Sequence, residues 1–122
     1  MRLIVVYITA RDAKQARRIG KALLRERLAA CANIFSGMNS LYFWEGRLCD
    51  GREAVLIVKT RAALLDQIIK RVTTLHSYSV PCIVSWPVAG GNRDFLEWVG
   101  KETAAGKPRL KRRPAERITA RP

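Results

Sequence analysis

The chain has 122 residues, 48% of them hydrophobic, and a net charge of +13. That length gives one domain able to bury a core without metal or disulfide staples, and the composition argues against a disordered or repeat architecture. The longest nearly apolar run, Leu3-Ile4-Val5-Val6-Tyr7-Ile8, is far too short to span a bilayer, and three cysteines with no two-residue-spaced pair argue against a disulfide framework or a structural zinc site.

Residues 3–9, rich in Ile and Val, predict a central strand. Arg2 precedes this run, yet no cleavage site follows it, so a cytoplasmic location is expected rather than a signal peptide. Asp12 with Gln15 three residues on reads as a capping box. Ala16, Ile19, Gly20, Leu23, Leu24 and Leu28 then fall at helical spacing, with Lys14, Arg17, Arg18, Lys21 and Arg25 on the other face. The pattern predicts an amphipathic helix of about four turns.

Residues 29–35 predict a strand that bends at Ser36-Gly37 and continues through 41–44. Glu45-Gly46-Arg47 supplies a hairpin turn, with Asp50-Gly51 a second turn candidate beyond it. Residues 54–58 return as a buried strand, and the long arms leave pairing edges that something must cover. Thr60 is expected to cap a second helix with Leu64, Leu65, Ile68, Ile69, Val72 and Leu75 as its buried stripe and His76 at its end. Pro81 excludes further helix, 82–86 predicts a strand stopped by Pro87, and Asn92 opens a short helix with Phe95, Trp98 and Val99 inward.

The order β-α-β-β-α-β plus a C-terminal helix is the ferredoxin-like split βαβ pattern, an α+β fold with helices on one face of an antiparallel sheet. The other face has no helix assigned to it, which calls for self-association. The domain is expected to span residues 1–103. Residues 104–122 form a basic tail, read as disordered and as a weak, nonspecific polyanion binder; residues 101–122 hold eight Lys/Arg against Glu102 and Glu116.

The segment from Leu75 to Val88 concentrates the candidate chemistry, since it holds the single histidine, Tyr78, Cys82 and Trp86. His76 is a borderline-soft ligand for copper or zinc when neutral, or a donor to helix-terminal carbonyls. Cys82 lies six residues on, so the two share a metal only if the intervening chain doubles back or a second subunit intervenes. Cys31 sits in an apolar strand context, as a small hydrophobe or a ligand, and Cys49 beside Asp50-Gly51 reads as an exposed, oxidisable thiol. Trp44 and Glu45 at the hairpin tip read as interface residues. Lys59 precedes a helix N-terminus, where the dipole does not favour a cation, so it reads as answering an acid or an anionic ligand. Tyr78 lines a cleft or orients the histidine ring. One histidine with no acidic neighbour in sequence, and no phosphate-binding loop, argue against an enzyme.

Four segments resemble the CutA divalent-cation tolerance family in register: Arg27-Leu28-Ala29-Ala30-Cys31-Ala32-Asn33-Ile34, Tyr42-Phe43-Trp44-Glu45-Gly46, Ile57-Val58-Lys59-Thr60 and His76-Ser77-Tyr78-Ser79-Val80-Pro81. Asn92 to Trp98 is similar to that family's closing helix, and the match runs from about Leu3 to Thr103. The resemblance implies a homotrimer whose long hairpins cross between subunits. It also implies binding of copper(II) or another divalent cation near inter-subunit clefts; no organic cofactor and no membrane partner are expected. The candidate metal ligands of this sequence are His76, Cys82 and Cys31, with Lys59, Tyr78 and Trp44 as candidate cleft residues. An alternative is a PII-like signalling or scaffold trimer that binds a small anion or a partner protein there. The family usually reads His-Pro-Tyr-Glu-x-Pro; here Ser77 and Ser79 replace Pro and Glu and Cys82 follows Pro81, so carboxylate oxygen is exchanged for sulfur.

Overall fold

In the computed structural model, which describes residues 1–110 and Glu116, four strands form one antiparallel sheet in the order β2-β3-β1-β4. The elements are β1 (Leu3–Ala10), α1 (Ala13–Arg25), β2 (Cys31–Trp44), β3 (Arg47–Arg61), α2 (Leu65–Leu75), β4 (Ile83–Pro87) and α3 (Arg93–Glu102). This is the expected split βαβ order with its closing helix. Because side chains alternate along a strand, Ile4, Val6 and Ile8 of β1 share one face with Leu56 and Val58 of β3. On that face they meet Ala16, Ile19 and Leu23 of α1 and Ile68 and Val72 of α2 in a single buried core.

Helix α1 starts as its sequence predicts. The Asp12 carboxylate accepts the Gln15 N–H at 2.8 Å, and the Gln15 amide oxygen accepts the Arg11 N–H at 2.8 Å. That backbone N–H holds the Asp12 carboxyl below its ordinary value of 3.8. The helix ends earlier than the apolar spacing suggests, at Arg25 rather than Leu28. Arg27 takes a left-handed φ of 60°, and the Leu28 N–H reaches back to the Leu23 carbonyl at 2.8 Å. Leu28 is still buried, so the core claims the side chain while the helix lets the backbone go.

The β2–β3 hairpin turns at Glu45-Gly46 alone, both at positive φ (50° and 75°), between paired Trp44 and Arg47. Asp50-Gly51 is not a turn: Asp50 pairs with Leu41 and Gly51 with Ser40 inside β3, which runs unbroken for 15 residues. The bend expected at Ser36-Gly37 is a register shift between Phe35 and Met38, with Gly37 at φ 70°. Thr60 does not cap α2. The ladder to β1 continues to Arg61, so Thr60 lies inside β3, fully buried, and its hydroxyl donates to the Leu28 carbonyl at 2.7 Å. A short 3-10 turn over Ala62–Leu64 then leads into α2.

The second face of the sheet carries Val5, Tyr7, Asn33, Phe35, Ile57, Lys59, Val84 and Trp86 by the same alternation. It is not wholly bare, as α3 packs on one end. Arg61 donates twice to the Gly100 carbonyl, at 3.0 and 2.6 Å, and the Lys59 ammonium lies 6.0 Å from the Phe95 ring centre. Within α3, Val99 is the side chain pointed fully inward, whereas Trp98 stays 38% exposed. Phe35, Val84, Trp86 and the hairpin residues Leu41, Tyr42, Phe43, Trp44 and Leu48 remain exposed on this chain.

Past α3 the chain folds back toward α1. Pro108 offers its carbonyl to the Arg27 guanidinium at 3.0 Å, and the Leu110 N–H donates to the Arg25 carbonyl at 2.9 Å. Arg27 is further held by Glu102 at 2.9 Å. The greater part of the expected tail, residues 111–115 and 117–122, lies outside the described residues. Among the described residues no helix is long and apolar enough to cross a membrane.

Candidate functional site

His76 terminates α2, and its backbone N–H closes the last turn on the Val72 carbonyl at 2.9 Å. Its ring spans a gap between two elements. Nε2 lies 2.7 Å from the Thr9 carbonyl of β1, and Nδ1 lies 3.1 Å from the Tyr78 backbone N–H. A carbonyl accepts and an amide N–H donates, so Nε2 carries the proton and Nδ1 offers its lone pair. In that neutral tautomer both ring nitrogens are engaged, and His76 ties the end of α2 to β1.

The same contact aims Tyr78. Its ring lies 4.7 Å from the His76 ring, and its hydroxyl donates to Glu53 Oε2 of β3 at 2.8 Å. Burial first, and the Glu53 hydrogen bond second, push the Tyr78 phenol from 10.0 up to about 12. Glu53 faces Met38 across the bulged hairpin, and the Met38 sulfur accepts the Tyr7 hydroxyl at 3.6 Å. Together these groups shape a groove of about 670 Å³ under the hairpin, lined by Tyr7, Met38, Trp44, Glu53, Tyr78 and Cys82 among others.

The raised phenol gives a direct expectation. Its folded value lies above its unfolded one, so the stability it lends is complete below pH 10 and is lost as pH rises from 10 through about 12. Near-ultraviolet tyrosinate titration should show one of the three tyrosines ionising near the top of that window. Tyr78→Phe should delete that late step; a late step that persists contradicts the assignment.

Of the residues singled out in the sequence, Tyr78, Trp44 and Cys82 meet in this groove, and His76 supports it from behind. Cys82 is exposed. Lys59 and Cys31 do not line the groove. They pair across β2–β3, with the Lys59 ammonium 2.9 Å from Asn33 Oδ1 and 3.8 Å from the Cys31 sulfur. Glu45 sits exposed in the tip turn. Cys49, expected to be exposed, is half-buried within β3 opposite Tyr42. The sequence reading missed Tyr7, Met38 and Glu53. Among the described residues, no three His, Cys, Asp or Glu side chains stand close enough to hold a metal ion.

The sequence profile of the CutA1 divalent ion tolerance protein matches residues 4–102. The chain belongs to this family. It is 46% identical over 99 residues to the divalent-cation tolerance protein CutA of Thermus thermophilus, covering 81% of this chain and 96% of that one. It is also 41% identical over 100 residues to the chloroplastic Protein CutA 1 of rice, covering 82% of this chain. It spans about half of the rice protein's length, at 56%. Among solved CutA structures, the rice protein superposes with a TM-score of 0.84 at 39% identity, over 87% of this chain and 97% of that one. The Thermus thermophilus protein gives 0.82 at 44% identity, over 84% and 99%. The CutA family is described by divalent-cation tolerance and not by a catalysed reaction.

Proposed function

We propose that this CutA chain works as a cytoplasmic homotrimer that takes up divalent cations of the copper and zinc type at clefts between its subunits. One observation carries the reading. The groove under the hairpin gathers Glu53, Met38 and Cys82, one carboxylate and two sulfurs, beside apolar residues that one chain leaves uncovered. Sulfur donors suit copper and zinc better than magnesium or calcium. Among the described residues no three His, Cys, Asp or Glu side chains come together, and His76 has both nitrogens engaged, so the missing donors are assigned to a neighbouring copy. Three free thiols accord with a reducing compartment.

Competition titration of the reduced protein with Zn(II), as the redox-silent ion, and with Cu(II) tests this. Cys82→Ser and Glu53→Gln should each weaken a one-per-subunit site by at least about tenfold, or roughly 1.4 kcal/mol. His76→Ala should act indirectly, by loosening Tyr78. Equal, weak binding by wild type and all three variants would sink the metal reading.

A second reading, a PII-like cleft for a small anion, is favoured by Lys59. Its half-buried ammonium has neutral hydrogen-bond partners, Asn33 and Cys31, beside the Phe95 ring. An anionic metabolite screen by thermal shift, with Lys59→Met as control, separates the two readings.

A further inference from the structure

We infer that the outer face of α1, together with the chain segment returning after α3, binds the phosphate backbone of double-stranded nucleic acid. Lys14, Arg18, Lys21 and Arg25 recur at helical spacing along α1, with Arg17 beside them. From Lys14 to Arg25 the helix rises about 16 Å, at roughly 1.5 Å per residue. A duplex presents one negative charge per ~1.7 Å of axis, so several phosphates fall within reach of this face. Like charges at these spacings repel within a helix, and the core requires none of them, because its contacts come from Ala16, Ile19 and Leu23 on the opposite face.

The face is concave rather than flat. A groove of about 510 Å³ lies between α1, the end of α2 and the returning segment, where Arg71 and Arg109 add to the α1 cations. Its one acid, Glu26, is held by Arg71 at 2.8 Å. Among the described residues, Lys14, Arg17, Arg18 and Lys21 enter no ion pair. The Leu110 N–H on the Arg25 carbonyl anchors the chain at the groove, and the sequence continues from there as Lys111-Arg112-Arg113. The α1 cations are spread along the helix axis from Lys14 to Arg25, which fits an extended polyanion better than a compact one.

The lining also selects among polyanions. No aromatic ring, Asn or Gln lines the groove, so it offers neither a stacking platform for unpaired bases nor an amide to read base edges. That favours a duplex held through its backbone, without sequence preference. A membrane surface is disfavoured, because α1 exposes no large apolar side chain and Leu110 is the single exposed one among the residues lining the groove, too little for insertion. The groove lies on the helix side of the sheet, opposite the sheet face assigned above to subunit contacts.

Fluorescence anisotropy of a labelled random-sequence duplex of about 20 base pairs, titrated with the full chain over a salt series, tests the inference. Arg18→Ala/Lys21→Ala keeps helix propensity, and a circular-dichroism melt verifies its fold. This variant should lose about tenfold in affinity, and its log–log salt slope should fall by about 1.8. Two unrelated duplex sequences should bind alike, and the matching single strand more weakly. The inference is overturned if the full chain does not bind duplex at low salt or prefers the single strand. It is equally overturned if the double variant binds like wild type while deletion of residues 111–122 abolishes binding, or if anionic phospholipid vesicles bind in place of the duplex.

Discussion

Leu56→Ala is expected to destabilise the chain by about 2–5 kcal/mol, the range for truncating a buried leucine whose site collapses only partly. Leu56 is fully buried in β3, between Ile8 of β1 and Ile34 of β2. Helix α1 crosses it at Gly20, where a methyl group would stand 3.3 Å from both the Leu56 Cδ1 and the Ala32 Cβ. Gly20 is thus the point of close approach between helix and sheet, where an added methyl requires its neighbours to give by a few tenths of an ångström. Gly20→Ala alone sets a helix-propensity gain of about 1 kcal/mol against the cost of moving those neighbours. Combined with Leu56→Ala, the added methyl enters the space just vacated, and the double variant should be more stable than the sum of the two single effects. Urea unfolding at one fixed protein concentration measures all three, because any assembly makes apparent stability depend on concentration. A Leu56→Ala loss under about 1 kcal/mol would contradict this packing.

The second large effect concerns assembly. Phe43 and Leu48 face each other across the hairpin and are 79% and 70% exposed in one chain. Burying each such side chain is worth about 1.5–3 kcal/mol, repeated at every copy of the proposed trimer. Phe43→Ser/Leu48→Ser should therefore raise the dissociation constant by at least about a hundredfold, or 2.7 kcal/mol. Sedimentation velocity across a dilution series reads this as a shift to single chains. Far-ultraviolet circular dichroism should stay unchanged, since neither residue belongs to the core. An assembly of unchanged mass and affinity would place the subunit contact elsewhere.

The elements legible in the sequence are those set by local chemistry. The Asp12 cap, the α1 stripe from Ala16 to Leu23 and the Glu45-Gly46 turn each follow from neighbouring residues, and all three stand as read. The misreadings share a cause. Thr60 has the look of a cap, but strand pairing with Ile4 decided its backbone. Leu28 continues the helical spacing, but Arg27 turns the chain and leaves the leucine in the core. Asp50-Gly51 has turn chemistry, overridden by pairing along a long hairpin. The groove was the least legible part. Tyr78 and Glu53 are 25 residues apart, and Tyr7 and Met38 are 31 apart. Met38 comes opposite Glu53 only through the bulge after Phe35. Glu53 offered no local signal, being one carboxylate just ahead of the apolar run at 54–58.

His76 shows how a residue type and its context can diverge. A lone histidine six residues from a cysteine invites a metal role, whereas the ring here bridges Thr9 and Tyr78 with both nitrogens. Its part in the groove is to set Tyr78 over Glu53, and the donors that line the space are sulfur and carboxylate.

Native mass spectrometry of the reduced protein, loaded with Zn(II) and freed of excess metal, weighs assembly and uptake in one spectrum. The account predicts a species of three chains carrying three metal ions, and Cys82→Ser trimers that carry fewer. Single chains holding the metal alone, or trimers that hold none, would contradict it.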